Sequence, residues 1–263
     1  MQDAYVGDIG DYGKYGLLRA VAASGLRLAV NWYRVIPPSP EPSDPETRLQ
    51  PRKKNGAAPA RREPQDGRYT EYLSRPAQYS HYDPALFDCL AELVQRDRRL
   101  EALQASGILQ ATFYAEPLTG TDRRQWHAKA LDATRNGDVV FLDPDNGLET
   151  ARMHRRRAAA EKHVTWQEAK DYYDRGQSVI LYQHRPQRTA KARCIQGVLD
   201  FQASFLRADR TLLLEYPRYT NRYYFLFAHR EHSAELETVC HGVAQDWQGL
   251  CRFLERQPPF QPR

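Results

Sequence analysis

The chain has 263 residues, 41% of them hydrophobic, enough to build a core in one large α/β domain or two small ones. A formal charge of +5 and a pI near 9.0 permit a polyanionic partner without requiring one. No apolar run approaches the roughly 20 residues that span a bilayer, and the opening MQDAYVGDIG lacks the basic and apolar regions of a signal peptide, so a cytoplasmic, non-membrane protein is expected.

In chain order, the first predicted element is a helix from Gly13 to Gly25, with Leu17, Leu18 and Val21 as its apolar face. A strand follows from Leu26 to Val35. Residues 36–67 are crowded with proline and charge and read as a long disordered insertion within a single domain, 1–263, because one helix and one strand cannot form a core alone. Asp83 caps a helix to Gln95, and RDRRLEALQASGI continues as a second. Next come the strand LQATFYAEP, a helix closing on Gly137, the strand DVVFLDPDNG, a basic segment around ARMHRRR, and the helix TWQEAKDYYDRG. The strand QSVILYQHR leads into the helix TAKARCIQGVLDFQASFL. Two last strands, RTLLLEYPR and RYYFLFAHR, are joined by the short turn YTNR as an antiparallel hairpin at one edge, and a helix ends the pattern. Alternating strands and helices predict a Rossmann-like α/β fold: a mostly parallel sheet covered on both faces, with an antiparallel C-terminal hairpin strand.

Open α/β sheets bind ligands beyond the carboxyl ends of their strands. Three polar clusters fall there: Asn31, Trp32 and Tyr33; Asp143, Pro144, Asp145, Asn146 and Gly147; and Tyr182, Gln183, His184 and Arg185. Pro144 stops the strand ladder, and Gly147 lets backbone approach a ligand. In the lead segment Gly7, Asp8, Gly10 and Asp11 precede Lys14, an arrangement of glycine N–H groups and a lysine that can hold a phosphate or carboxylate, without P-loop spacing. Arg155, Arg156 and Arg157 form a cationic run beside the Asp143 loop, suited to a nucleic-acid backbone. Tyr172, Tyr173, Tyr182, Tyr219, Tyr223 and Tyr224 offer stacking surfaces. The four scattered cysteines and the spread histidines give no zinc spacing, and no metal ligands are assigned.

FLDPDNGLE superficially resembles the aspartate strand end of haloacid-dehalogenase-type phosphatases, but it lies past residue 140 rather than on a first strand. A better likeness runs along the whole chain. With VGDIGDYGKYGLLR, LAVNWY, the Pro-rich insertion, FLDPDNG, VILYQHR and the final hairpin in that order, the sequence resembles the large-subunit ribosomal-RNA adenine methyltransferases of the J type, and more broadly class I methyltransferases acting on an exocyclic amine. The pair GDIGDYGKYGLLR and FLDPDNGLE also resembles bacterial and phage-borne proteins without an assigned activity. The methyltransferase likeness implies S-adenosylmethionine as cofactor, held by Gly7, Asp8, Gly10, Asp11, Lys14 and Asn31. It implies that Asp143 and the Pro144 carbonyl orient the target amine of a flipped base, with Asp145 and Asn146 completing the motif. Trp32, Tyr182, His184, Arg185 and the three arginines would contact the nucleic acid. The sequence departs from the family motif at position 145, Asp instead of Pro, and at 146, Asn instead of an aromatic residue. Its first strand also ends without a glycine-rich turn.

The expected function is therefore a methyltransferase-related enzyme acting on DNA or RNA. Two alternatives stand beside it. One is a Mg-dependent hydrolase or nuclease using Asp143, Asp145 and Glu149, with Asp8 or Asp11, as oxygen ligands. The other is a non-catalytic nucleic-acid-binding protein on a degenerate methyltransferase fold.

Overall fold

A computed structural model describes residues 3–36, 69–156, 161–186, 188–218 and 220–254. The insertion expected over 36–67 lies, beyond Ile36, outside the described residues, as do Arg157 and Tyr219.

The elements run α1 (Ile9–Ala23), β1 (Leu28–Asn31), α2 (Pro76–Tyr79), α3 (Pro84–Arg96), α4 (Leu100–Ala105), β2 (Thr112–Tyr114), α5 (Arg123–Ala133), β3 (Val139–Leu142) and β4 (Gly147–Leu148). They continue with α6 (Ala151–Arg156), β5 (His163–Val164), α7 (Trp166–Asp174), β6 (Ser178–His184), α8 (Lys191–Phe201), β7 (Arg210–Arg218), β8 (Thr220–Ala228), α9 (Ser233–Asp246) and β9 (Arg252–Phe253). The main sheet has the order β2-β1-β3-β6-β8-β7-β9. Its β2-β1-β3-β6 part is parallel, and β8 joins β6 antiparallel. The hairpin is not outermost, because β9 pairs with β7 beyond it. Pairing along the hairpin reaches Arg218 opposite Thr220, tighter than the turn YTNR suggests.

The strands are buried on both faces, and their side chains alternate between two cores. Phe141, Ile180, Tyr182, Tyr224 and Leu226 pack under α1, α3 and α9. Val140, Leu142, Leu181, Phe225 and Phe227 pack under α5, α7 and α8. No described helix is long and apolar enough to cross a membrane.

Helix α1 begins four residues before its expected start. Asp8 is the N-cap, its carboxylate accepting the Asp11 N–H at 2.8 Å, so Gly10 lies inside the helix and not in a lead ahead of it. Glycine lowers helix propensity, which is why the sequence pattern hid this turn. The compensation is close packing. A methyl group on Gly10 would lie 2.2 Å from the Arg222 guanidinium, on Gly13 2.5 Å from the Tyr216 ring, and on Gly16 2.2 Å from the Trp247 indole. This glycine face lets α1 lie close against the hairpin and α9, and it carries Lys14 to the strand ends. Strand β1 is also shorter than expected, ending at Asn31, because the chain turns at Tyr33 with φ 44°.

Candidate functional site at the β1–β3 crevice

From β1 the chain moves outward to β2 and then returns to β3 on the other side of β1. That reversal marks the point where an open α/β sheet forms a ligand crevice beyond its carboxyl ends. Asn31 and Asp143 occupy it, with the Asp143 N–H donating to the Asn31 carbonyl at 3.0 Å.

The centre is charged and buried. Lys14 Nζ lies 2.9 Å from Asp143 Oδ2 and 2.8 Å from Asp11 Oδ1. The Tyr15 hydroxyl donates to the other Asp11 oxygen at 2.7 Å, and Arg222 approaches Asp8 at 3.4 Å. Three rings surround the ammonium, with centroids at 5.5 Å for Tyr15, 5.8 Å for Tyr182 and 5.9 Å for Trp32. Lys14 is 4% exposed and Asp143 3%. Burial works to lower the Lys14 pKa, but the Asp11 and Asp143 carboxylates outweigh it and hold the ammonium well above its ordinary range. Burial raises Asp143 against the pull of Lys14, and raises Asp8 against Arg222. Lys14 thus fixes a carboxylate's orientation; its described contacts are with acids, not with a glycine cradle.

The loop after β3 is clamped from β6. Gln183 Oε1 accepts the Leu148 N–H at 2.9 Å, and the Asn146 carbonyl accepts the His184 N–H at 3.2 Å. Gly147 is required here: its φ is +113°, and a Cβ would lie 2.3 Å from the Gln183 amide oxygen. Asp145, half-buried, pairs with Lys162 at 3.6 Å. Glu149 faces elsewhere, accepting the Trp166 N–H at 2.8 Å and bonding His154 Nδ1 at 3.0 Å. The acids expected to share Mg²⁺ therefore have separate commitments, and among the described residues no group of three His, Cys, Asp or Glu side chains is placed to hold a metal.

Several expected contact residues are placed differently from what their positions in the sequence suggest. Trp32 is fully buried and stacked on Phe113 at 6.0 Å, so it offers no open platform. Tyr182 packs in the core against Tyr224, and Tyr172, Tyr173 and Tyr223 are buried as well. Aromatic residues at strand ends serve packing as readily as stacking. Gly7, φ +77°, packs closely on Val94. Asn31 holds the turn, accepting the Tyr33 N–H at 3.2 Å and donating to the Tyr172 hydroxyl at 2.9 Å. His184 is half-buried at the rim, 3.4 Å from the Tyr182 hydroxyl, and its pKa is lowered by burial and by Arg222 and Arg185. Arg185 is also half-buried there, its N–H donating to the Asn221 carbonyl. Arg155 and Arg156 are exposed on α6.

Arg222 is a site residue that the sequence reading missed, while Gln183 and Tyr224 were named there only as a strand-end polar group and a stacking surface. A signal exists in the pattern: Arg222 alternates with Tyr224 and Leu226, and Gln183 with Leu181, placing a polar group in line with core residues.

No family model, curated protein or solved structure matches the chain.

Proposed function

We propose that the protein is a methyltransferase-related enzyme that modifies an exocyclic amine of a nucleic-acid base with S-adenosylmethionine. The observation that carries this reading is the Lys14–Asp143 pair at the crevice where the strand order reverses. Two features fit the cofactor chemically. Carboxylates and aromatic rings already surround one positive centre, the kind of setting a sulfonium also favours. Tyr33 gives the backbone after β1 the left-handed turn for which glycine is the usual residue. Asn31, the Trp32–Tyr33 turn, Asp8 and Asp11 would hold the cofactor, which supplies the methyl group when bound.

Asp143 would accept one amine hydrogen and the Pro144 carbonyl the other, directing the nitrogen lone pair at the methyl carbon. Lys14 counters the burial that raises the Asp143 pKa and fixes the carboxylate's rotamer. Because both residues are buried, a base reaches Asp143 only after the residues around it rearrange. Exposed Arg152, Arg155, Arg156 and Lys162, adjoining the loop after β3, would hold phosphates.

The same burial favours a second reading, a nucleic-acid-binding protein whose crevice is sealed by its own ion pairs. Titration calorimetry with S-adenosylmethionine separates the two. Heat of binding supports the enzyme; no heat, with salt-sensitive binding of RNA or DNA, supports the sealed protein.

A further inference from the structure

Tyr224 projects from β8 on the α1 side of the sheet, directly opposite Tyr182 in the β6–β8 pairing. Its ring is fully buried, edge-on to Tyr216 at 5.3 Å and tilted against Tyr182 at 5.8 Å. Among the described residues its hydroxyl has no hydrogen-bonding partner. Most phenols on this side of the sheet differ. Tyr12 donates to the Tyr79 carbonyl at 2.9 Å, Tyr15 to Asp11 at 2.7 Å, and Tyr72 to the Gly7 carbonyl at 3.2 Å. The Tyr216 hydroxyl, also buried, faces the Cys251 thiol. Tyr182, against which its ring packs, also lies against the Lys14 ammonium at 5.8 Å, and Lys14, Arg222 and Asp143 of the proposed centre are near enough to act on its charge.

A buried hydroxyl without a partner destabilises a fold, and phenylalanine would fill the same space without that penalty. Burial also holds the phenol well above its ordinary pKa, so it stays a neutral donor. Lys14 and Arg222 have no acceptor to offer it.

We infer that Tyr224 is a substrate-contacting residue whose hydroxyl donates to an acceptor atom of the amine-bearing molecule held at Asp143. The inference rests on the methyltransferase reading and adds to it a polar contact that the sequence motif did not supply. It also gives the buried Tyr224 hydroxyl a role: its partner arrives with the ligand.

Tyr224→Phe tests this through two readouts that a packing role would move in the opposite sense. In the ligand-free protein, Tm should stay level or rise by up to about 4 °C, since only an unpaired hydroxyl is removed. A fall of several degrees means that the hydroxyl is already satisfied, and overturns the inference. In transfer of a labelled methyl from S-adenosylmethionine to RNA and DNA, the variant should raise KM for the nucleic acid about tenfold, the value of one hydrogen bond. Wild-type transfer with an unchanged Tyr224→Phe removes this inference alone. A wild-type protein that transfers nothing removes the parent reading and this inference with it.

Discussion

Lys14 on the second turn of α1 and Asp143 at the end of β3 are 129 residues apart in sequence and 2.9 Å apart in space. Around this pair the first helix, the reversal of strand order and the hairpin converge. A buried ion pair is weak evidence of stability by itself, because desolvation consumes most of its Coulomb attraction. Removing one partner is different, since it strands the other charge.

Lys14→Met should therefore destabilise the protein by about 3–5 kcal/mol, and Asp143→Ala by a similar amount. The double variant should lose less than the sum, with a coupling of about 1–3 kcal/mol. Urea unfolding of the four proteins measures this cycle. Additive losses would mean that the two charges do not depend on each other.

The glycine face of α1 makes a prediction opposite to helix propensity. Gly10→Ala and Gly13→Ala should each destabilise by about 1–3 kcal/mol, because the new methyl would press on Arg222 or Tyr216. Gly197→Ala, in the exposed part of α8 with open space around it, should stabilise by about 0.5–1 kcal/mol. Thermal melts of the three variants decide the matter; stabilisation by all three would place α1 farther from the hairpin.

Alkaline pH should unfold the protein steeply. Burial raises Tyr15, Tyr33, Tyr72, Tyr216 and Tyr224 well above the ordinary 10.0, and the carboxylates of Asp11 and Asp143, overcoming burial, raise Lys14 above 10.5. A group raised in the folded state contributes stability that is intact below its unfolded pKa and is lost as pH rises above it. Stability should hold up to about pH 10 and then fall. Beyond a smaller early rise from exposed tyrosines such as Tyr5, most of the tyrosinate absorbance should appear together with loss of helical circular dichroism, and full tyrosinate absorbance in a still-folded protein would contradict the burial of these phenols.

The parallel strands were legible because each is a short apolar run ended by polar residues, and the rule about carboxyl ends then selected Asn31, Asp143 and His184. The meeting of Lys14 with Asp143 does not follow from that rule, since Lys14 lies on α1, but was expected from the methyltransferase likeness. What stayed hidden depends on pairing between distant segments. Arg222 and Tyr224 join the centre only through the β6–β8 register. The start of α1 was masked because its glycines answer to Arg222, Tyr216 and Trp247, residues more than 200 positions away. Trp32 and Tyr182 looked like platforms because strand-end aromatics carry no sign of which way they face.

Arg155→Ala with Arg156→Ala should weaken binding to RNA or DNA without changing sequence preference. The slope of log affinity against log salt should fall by about one for each phosphate that is no longer neutralised. Fluorescence anisotropy across a salt series reads this directly. An unchanged slope would assign nucleic-acid binding to another surface.

The most direct test of the Asp143 centre is incorporation of a labelled methyl group from S-adenosylmethionine into RNA and DNA by wild type, Asp143→Asn and Asp143→Ala. The account predicts transfer by wild type, partial transfer by the amide, whose oxygen still accepts a hydrogen bond, and at least about a hundredfold loss in the alanine variant while it remains folded. Transfer by a folded Asp143→Ala at the wild-type rate, or none by wild type to either nucleic acid, would contradict it.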